Sequence, residues 1–224
     1  RYINPTMELL PSRNYLDGTV GIRSGIAPGF WFDVFGGYKI TSDEVFFAPT
    51  LLAPSAQGDI FANTSRALQA NAKHAFGGVN LKYSYQQLLD ISLKGVYNNW
   101  KANQGDESVE LSHAYGKPEM EVNANVTVRP IDKLSVALDY YLATGRYAFV
   151  KNYWEAENHS SVSAGAGEYK MNNINELNLT GTYTFNDTFG VYAKLNNILC
   201  QKYEVYYGYP LQSFSAMIGV NINF

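Results

Sequence analysis

Phe214-Ser215-Ala216-Met217-Ile218-Gly219-Val220-Asn221-Ile222-Asn223-Phe224 closes the chain, and it alternates with period two. Phe214, Ala216, Ile218, Val220, Ile222 and Phe224 are apolar. Ser213, Ser215, Asn221 and Asn223 oppose them, with Met217 and Gly219 between. Successive side chains of an extended chain point to opposite faces, so this segment reads as a strand with one apolar and one wet face. The pattern recurs upstream. Val122, Ala124, Val126 and Val128 alternate with Asn123, Asn125 and Thr127; Leu134, Val136, Leu138, Tyr140 and Leu142 alternate with Ser135, Asp139 and Tyr141. Leu177, Leu179, Tyr183 and Phe185 oppose Glu176, Asn178, Thr180, Thr182 and Thr184, and Val191, Ala193 and Leu195 oppose Lys194 and Asn196. No segment sustains a helical period, which makes the chain all-β.

Nine strands are expected, near 15–24, 30–40, 70–85, 89–100, 119–129, 133–146, 174–185, 189–200 and 212–224. Tight turns at Gly25–Gly29, Gln86–Leu88, Pro130–Asp132 and Asn186–Thr188 alternate with long connections at 41–69, 101–118, 147–173 and 201–211. Membrane barrels have this alternation, because their periplasmic turns are short and their outer loops long. The polar faces are mostly Asn, Ser, Thr and Gly rather than Lys and Glu, as in a wet barrel lumen. Aromatics gather near strand ends: Phe30, Trp31 and Phe32; Tyr83 and Tyr85; Tyr97 and Trp100; Tyr140 and Tyr141; Phe185 and Phe189. At the ends of membrane strands such rings form interfacial girdles; in a soluble sandwich they would be core. Ile218, Val220, Ile222 and Phe224 resemble the C-terminal insertion signal of bacterial outer-membrane barrels, which favours the membrane reading.

Composition narrows the classes further. In 224 residues only 17% are charged and 15% are aromatic, which excludes a disordered polypeptide. A net charge of −3 lacks the basic footprint of a nucleic-acid binder. Cys200 has no second cysteine, and His74, His113 and His159 lack metal-ligand spacing. No apolar run is long enough for a transmembrane helix, a test that barrel strands escape. Short turns on the periplasmic side place Phe224 there, and an odd count of nine strands then starts the chain outside the cell. Single-chain bacterial barrels have even strand numbers, and an open edge does not face lipid. With Arg1 in place of an initiator Met, the expectation is upstream strands of a larger barrel or closure against another chain.

The ordered motifs resemble the C-terminal barrel portion of TonB-dependent outer-membrane receptors. Asn4-Pro5-Thr6-Met7, then Leu10-Pro11-Ser12-Arg13-Asn14-Tyr15 and Gly18, is similar to that family's Asn-Pro stretch and the strand after it. Asn63-Thr64-Ser65-Arg66 with Phe76-Gly77-Gly78-Val79-Asn80-Leu81, and Lys117-Pro118 with Arg129-Pro130-Ile131-Asp132-Lys133-Leu134, match later segments in order. The sharpest match is Leu195-Asn196-Asn197-Ile198-Leu199, Gln201-Lys202-Tyr203-Glu204 and Tyr207-Gly208-Tyr209-Pro210, closing on Phe224. Two departures stand out: Pro210-Leu211-Gln212-Ser213 replaces a Pro-Gly-Arg, and Cys200 replaces an Asp. The resemblance implies a barrel of about 22 strands with a plugged lumen, of which residues 1–224 would be a C-terminal wall segment without a plug. It also implies uptake of a scarce solute, whether metal chelate, vitamin or glycan, driven through TonB by a region upstream.

No catalytic, metal or cofactor constellation stands out, so a non-enzyme is expected. Asp106-Glu107 and Glu119/Glu121 read as solvated carboxylates, and His113 and His159 as loop histidines. Ligand-binding candidates are the loop rings Tyr153, Trp154, Tyr206 and Tyr207, which suit stacking on sugars or chelators. Tyr203 and Tyr209 share the last loop, and Phe149 the one before. Phe46, Phe47, Leu51 and Leu52 make the first long connection apolar, suited to covering the lumen or meeting a partner such as a surface lipoprotein. Expected partners are the outer-membrane bilayer, the barrel assembly machinery through the last strand, and TonB; nucleic acid is not among them. The competing readings are a receptor-like barrel serving as a structural or assembly subunit, and a soluble β-sandwich.

Overall fold

A computed structural model describes residues 14–48, 66–104, 109–111, 113–152, 165–206 and 209–222. The strands are β1 (Asn14–Ala27), β2 (Phe30–Ala48), β3 (Arg66–Tyr85), β4 (Leu89–Gln104), β5 (Val109–Leu111), β6 (Met120–Ile131) and β7 (Leu134–Thr144). They continue as β8 (Tyr147–Asn152), β9 (Gly165–Lys170), β10 (Ile174–Thr184), β11 (Phe189–Asn196), β12 (Glu204–Tyr206), β13 (Tyr209–Pro210) and β14 (Ser215–Ile222). One antiparallel sheet runs β1-β2-β3-β4-β6-β7-β10-β11-β14, each wall strand beside the next in sequence. These nine strands are the nine read from the alternation. The short elements belong to the long connections: β5 pairs antiparallel with the end of β4, while β8–β9 and β12–β13 form separate two-stranded sheets.

The register sorts every side chain. Arg23 faces Asp33, Asp33 faces Asn80, Asn80 faces Lys94, and Lys94 faces Asn123. Asn125 faces Asp139, which faces Asn178, and Thr180 faces Lys194. All of these lie on one surface, the inner face. The alternate residues, among them Val20, Ile22, Val34, Leu93, Leu138, Ile218 and Val220, share the outer face and are exposed. A sandwich would bury that apolar face under a second sheet. Among the described residues no second layer covers it, and Ile218 is 83% exposed. Within the described residues the sheet is a single layer with one apolar and one polar face.

The aromatic expectations divide along the same line. Phe32, Tyr83, Tyr85, Tyr97 and Tyr140 lie outward, and Phe185 stacks on Phe189 at 5.3 Å beside the last short turn. Trp31, Trp100 and Tyr141 instead lie inward, because each is an odd number of residues along its strand from an outward ring, Phe32, Tyr97 and Tyr140. They belong to the lumen side, not to a lipid girdle.

The short-turn end is built tightly. The first turn narrows to Pro28–Gly29, β1 running on to Ala27. Gly29 has φ +76, and a Cβ there would collide with the Ser84 carbonyl oxygen, while its own carbonyl accepts from the Ser84 N–H at 2.8 Å. The sheet also thins at Gly37 and Gly78, which lie opposite Phe76 and Phe35. Each ring lies over the facing glycine, where a Cβ would displace it.

Wall strands lengthen toward β2 and β3, which reach 19 and 20 residues. Both exceed the about 9–11 residues in which a tilted strand crosses a bilayer core, and the excess lies at the long-connection end. That end is also where buried residues concentrate. Ala70, Ala72 and Ala102 on the inner face leave room for Ala114 and Tyr115, and Ala143 and Ile174 pack with Tyr203.

Candidate functional site: the lumen wall and the long-connection end

Midway along the wall the inner face forms a concavity of about 830 Å³. One ion pair crosses it: Arg23 Nη2 lies 3.1 Å from Asp33 Oδ2, which also accepts from Asn80 Nδ2 at 3.2 Å. Asn125 donates to Asp139 at 2.6 Å, and Asn178 to Glu176 at 2.8 Å. Lys82 and Lys94 line the same concavity with no carboxylate partner among the described residues. A surface of carboxamides and paired charges suits water or a polar occupant; it is not suited to lipid.

At the long-connection end, one cluster gathers around Trp100. His74 stacks on it with centroids 3.7 Å apart and planes 3° from parallel, and Lys117 Nζ lies 4.0 Å from its ring centroid. Lys117 also bridges the buried Glu44 at 2.8 Å. His74 Nε2 lies 2.9 Å from Asn98 Oδ1, while Asn98 Nδ2 reaches the Pro118 carbonyl. Beside this cluster, His113 stacks on Tyr147 at 3.6 Å and helps to line a cavity of about 270 Å³. Glycine is required at 145, where φ is +64 and a Cβ would run into Glu119.

A second cluster ties two long connections together. Arg146, 3% exposed, donates to the carbonyls of Asn172 at 3.2 Å, Glu204 at 2.7 Å and Val205 at 2.6 Å. Its own carbonyl accepts from the Met171 N–H at 2.8 Å. Burial works against the guanidinium charge, and the neighbouring Tyr141, Tyr203 and Glu204 favour it. Asn197, at φ +49, takes the left-handed conformation that Asn tolerates better than most residues. Its side chain accepts from the Gln201 N–H at 3.1 Å and donates to the Gln201 carbonyl at 2.8 Å, while its N–H donates to Asn178 Oδ1 at 2.8 Å. Gln201 in turn accepts from the Asn175 N–H at 2.5 Å and donates to the Asn173 carbonyl at 3.2 Å. Tyr203 donates its hydroxyl to Glu176. Burial first, then that carboxylate, pushes its pKa up to about 12. The result is a clasp that carries β12 against the ends of β7 and β10.

This single meander, with its long connections folded over one end, matches solved structures. The ferripyoverdine receptor of the outer membrane of Pseudomonas aeruginosa aligns over 97% of this chain and 28% of its own, with a TM-score of 0.69 at 12% identity. The copper transporter OprC aligns over 96% of this chain and 32% of its own, with a TM-score of 0.65 at 12% identity. The ferric-catecholate import receptor Fiu from K12 Escherichia coli aligns over 95% and 28%, with a TM-score of 0.62 at 10% identity. The chain has the fold of a TonB-dependent receptor's barrel wall. It spans under a third of the length of these receptors. No family sequence model matches the chain, and no curated protein sequence does.

On this receptor-type wall, Ile218, Val220 and Ile222 lie outward on β14 opposite Ala193, Val191 and Phe189 of β11. Phe224 lies outside the described residues. Of the four loop rings, Tyr206 ends β12 beside Tyr209, both exposed, while Tyr153, Trp154 and Tyr207 lie outside the described residues. Tyr203 is not a vestibule ring, since the clasp buries it to 5% exposure. Cys200 is an exposed free thiol at φ +52. Glu121 accepts from the Tyr141 hydroxyl at 3.3 Å, so it is a paired inner-wall group. His159, Asp106 and Glu107 lie outside the described residues, as do the side chains of Phe46, Phe47 and Phe149. Arg146 and Trp100 were not among the sequence candidates. Arg146 shows in the sequence only as a lone Arg after a Gly at the end of an alternating strand, while its clasp partners lie in the quoted Asn197 and Gln201–Glu204 motif.

Proposed function

We propose that this chain is the C-terminal wall segment of a bacterial outer-membrane receptor, which binds a scarce solute outside the cell and imports it with energy supplied through TonB. The observation that carries the reading is the continuous nine-strand meander whose apolar outer face is left exposed among the described residues and whose inner face is polar. In water that outer face would be an aggregation hazard; in a bilayer it is the solvated surface. Receptors for ferripyoverdine, copper and ferric catecholate share the architecture, which supports a metal or metal chelate as the solute class. Vitamins and glycans remain within the same chemistry of recognition. The exposed Tyr206, with Tyr153, Trp154 and Tyr207, would supply flat apolar contacts to such a ligand at the long-connection end. Residues 1–224 contribute wall; plug and TonB contact belong to sequence upstream. The last strand, with Ile218, Val220, Ile222 and Phe224, would be read by the barrel assembly machinery.

The test uses the full-length protein in outer membranes, with uptake of labelled ferric chelates, copper, cobalamin and oligosaccharides measured with and without TonB. Uptake of one class that disappears without TonB supports the reading. A protein that resists alkaline extraction yet imports none of them, with or without TonB, is a wall without transport.

A further inference from the structure

The last hairpin carries a register fault, and Arg146 holds it. β12 pairs with β13 through Glu204↔Pro210 and Tyr206↔Tyr209, two steps along one strand against one along the other. Val205 is therefore an extra residue, and a bulge leaves the extra residue outside the ladder. Its carbonyl accepts from Arg146 Nη2 at 2.6 Å, and the Glu204 carbonyl accepts from the same nitrogen at 2.7 Å. Successive carbonyls of a regular strand point to opposite edges, so one nitrogen reaches both only where the chain is bent. The Val205 side chain packs with Ala143, Ile174 and Tyr203, which fixes the other side of the bend. Beyond the bulge the Leu211 N–H donates to the Tyr203 carbonyl at 3.1 Å and closes the hairpin.

The bulge decides where Tyr206 stands. With the extra residue, Tyr206 lies directly opposite Tyr209, and both are exposed. Without it, Val205 would take the place opposite Tyr209 and the two rings would part. Directly opposite residues place their Cβ atoms about 5 Å apart on one face, so the two phenol rings stand side by side as a flat apolar surface with polar tips. Arg146 is the one buried cation among the described residues, and it reaches the bend from the connection between β7 and β8. Burying a guanidinium is a costly way to hold a loop that apolar packing would hold as well. What it adds is a rigid fork of donors, and with it one fixed geometry. We propose that Arg146 is a positioning residue of the ligand site, setting specificity for a solute with a flat ring by aiming the Tyr206–Tyr209 pair. Arg146 acts through the bulge and touches no solute. The proposal rests on the receptor reading above.

The full-length protein, purified in detergent, tests it by titration with a ferric tris-catecholate, cobalamin, maltohexaose and cupric ion. Heat-resistant migration reports folding of each variant. A ring-bearing probe should bind the unaltered protein and protect Tyr206 and Tyr209 together from iodination, read by mass spectrometry. Tyr206→Ala should weaken that binding roughly three- to tenfold. Arg146→Gln should weaken it by the same factor with the number of sites unchanged, and should have no further effect in the Tyr206→Ala background. Arg146→Lys, a point donor in place of a fork, should fall between the two. Equal affinity in the parent and in Arg146→Gln overturns the proposal. Additive losses in the double variant, or fewer sites at unchanged affinity, make Arg146 a structural prop and overturn it too. Should Arg146→Gln fail to fold, iodination of the unaltered protein decides: a bound probe that leaves either ring reactive overturns the paired platform. Binding of cupric ion alone overturns the flat-ring assignment. Binding of none of the four overturns the receptor reading itself.

Discussion

The mid-wall and the clasp around Arg146 are held by opposite means. Between Leu134 and Thr184, β7 and β10 pair through a continuous backbone ladder, and among the described residues no second layer covers their outward side chains. On the proposed reading that region depends on what lies outside it: lipid in place of a core, and closure of every backbone group in the ladder. Around Arg146 regular pairing is limited to the short hairpins β8–β9 and β12–β13, and the Arg146 side chain reaches backbone carbonyls across 58 and 59 residues of sequence. The clasp depends on internal hydrogen bonds made at the edge of water. Damage to one region should therefore leave the other largely intact.

The largest expected effect is on the clasp. Arg146→Ala strands three carbonyls that now accept from one guanidinium, a local cost of roughly 3–5 kcal/mol. Limited proteolysis should then cut the segment between Asn197 and Phe214, while the barrel keeps its heat-resistant migration. If the segment stays resistant, the clasp is not held by Arg146.

Next is the wall. Ile218→Arg puts a charge on the outer face at a cost of about 2–4 kcal/mol at the bilayer midplane, whereas Met217→Arg on the inner face should be nearly neutral. The inserted fraction in vesicles, titrated with urea, separates the two variants. Equal losses would break the assignment of faces. Smaller still is Gly29→Ala, which forces a Cβ onto the Ser84 carbonyl at positive φ and should cost roughly 1–3 kcal/mol. It should lower the urea midpoint of the wall without opening the clasp to protease.

The smallest effect sharpens the comparison by pH. Tyr203 holds its proton more tightly when folded, its pKa raised from 10.0 to about 12. The stabilisation by the neutral hydroxyl is fully present below pH 10 and is lost as pH climbs from 10 to about 12. Tyrosinate absorbance of Tyr203→Phe should lack the most alkaline step seen in the parent protein. An identical titration curve would remove Tyr203 from the clasp.

Period two alone dictates which residues of a strand share a face, so the strands, the short turns and the apolar side of β14 were readable from the chain. Adjacent aromatics were harder to assign. Trp31 and Tyr141 sit next to outward residues, and proximity to a strand end says nothing of face; the cross-strand register does. Tyr203 and Tyr206 are three residues apart in one loop, yet one is buried and the other exposed, because only Tyr203 meets Glu176.

The sequence by itself determined an all-β chain of nine long strands with one wet face, since alternation is a local property of extended backbone. Only the tertiary structure decided that these strands form one continuous sheet, that Trp100 meets His74 and Lys117, and that Arg146 gathers Asn172, Glu204 and Val205. Each of those depends on residues far apart in the chain, whose meeting is set by register and loop closure rather than by any local pattern.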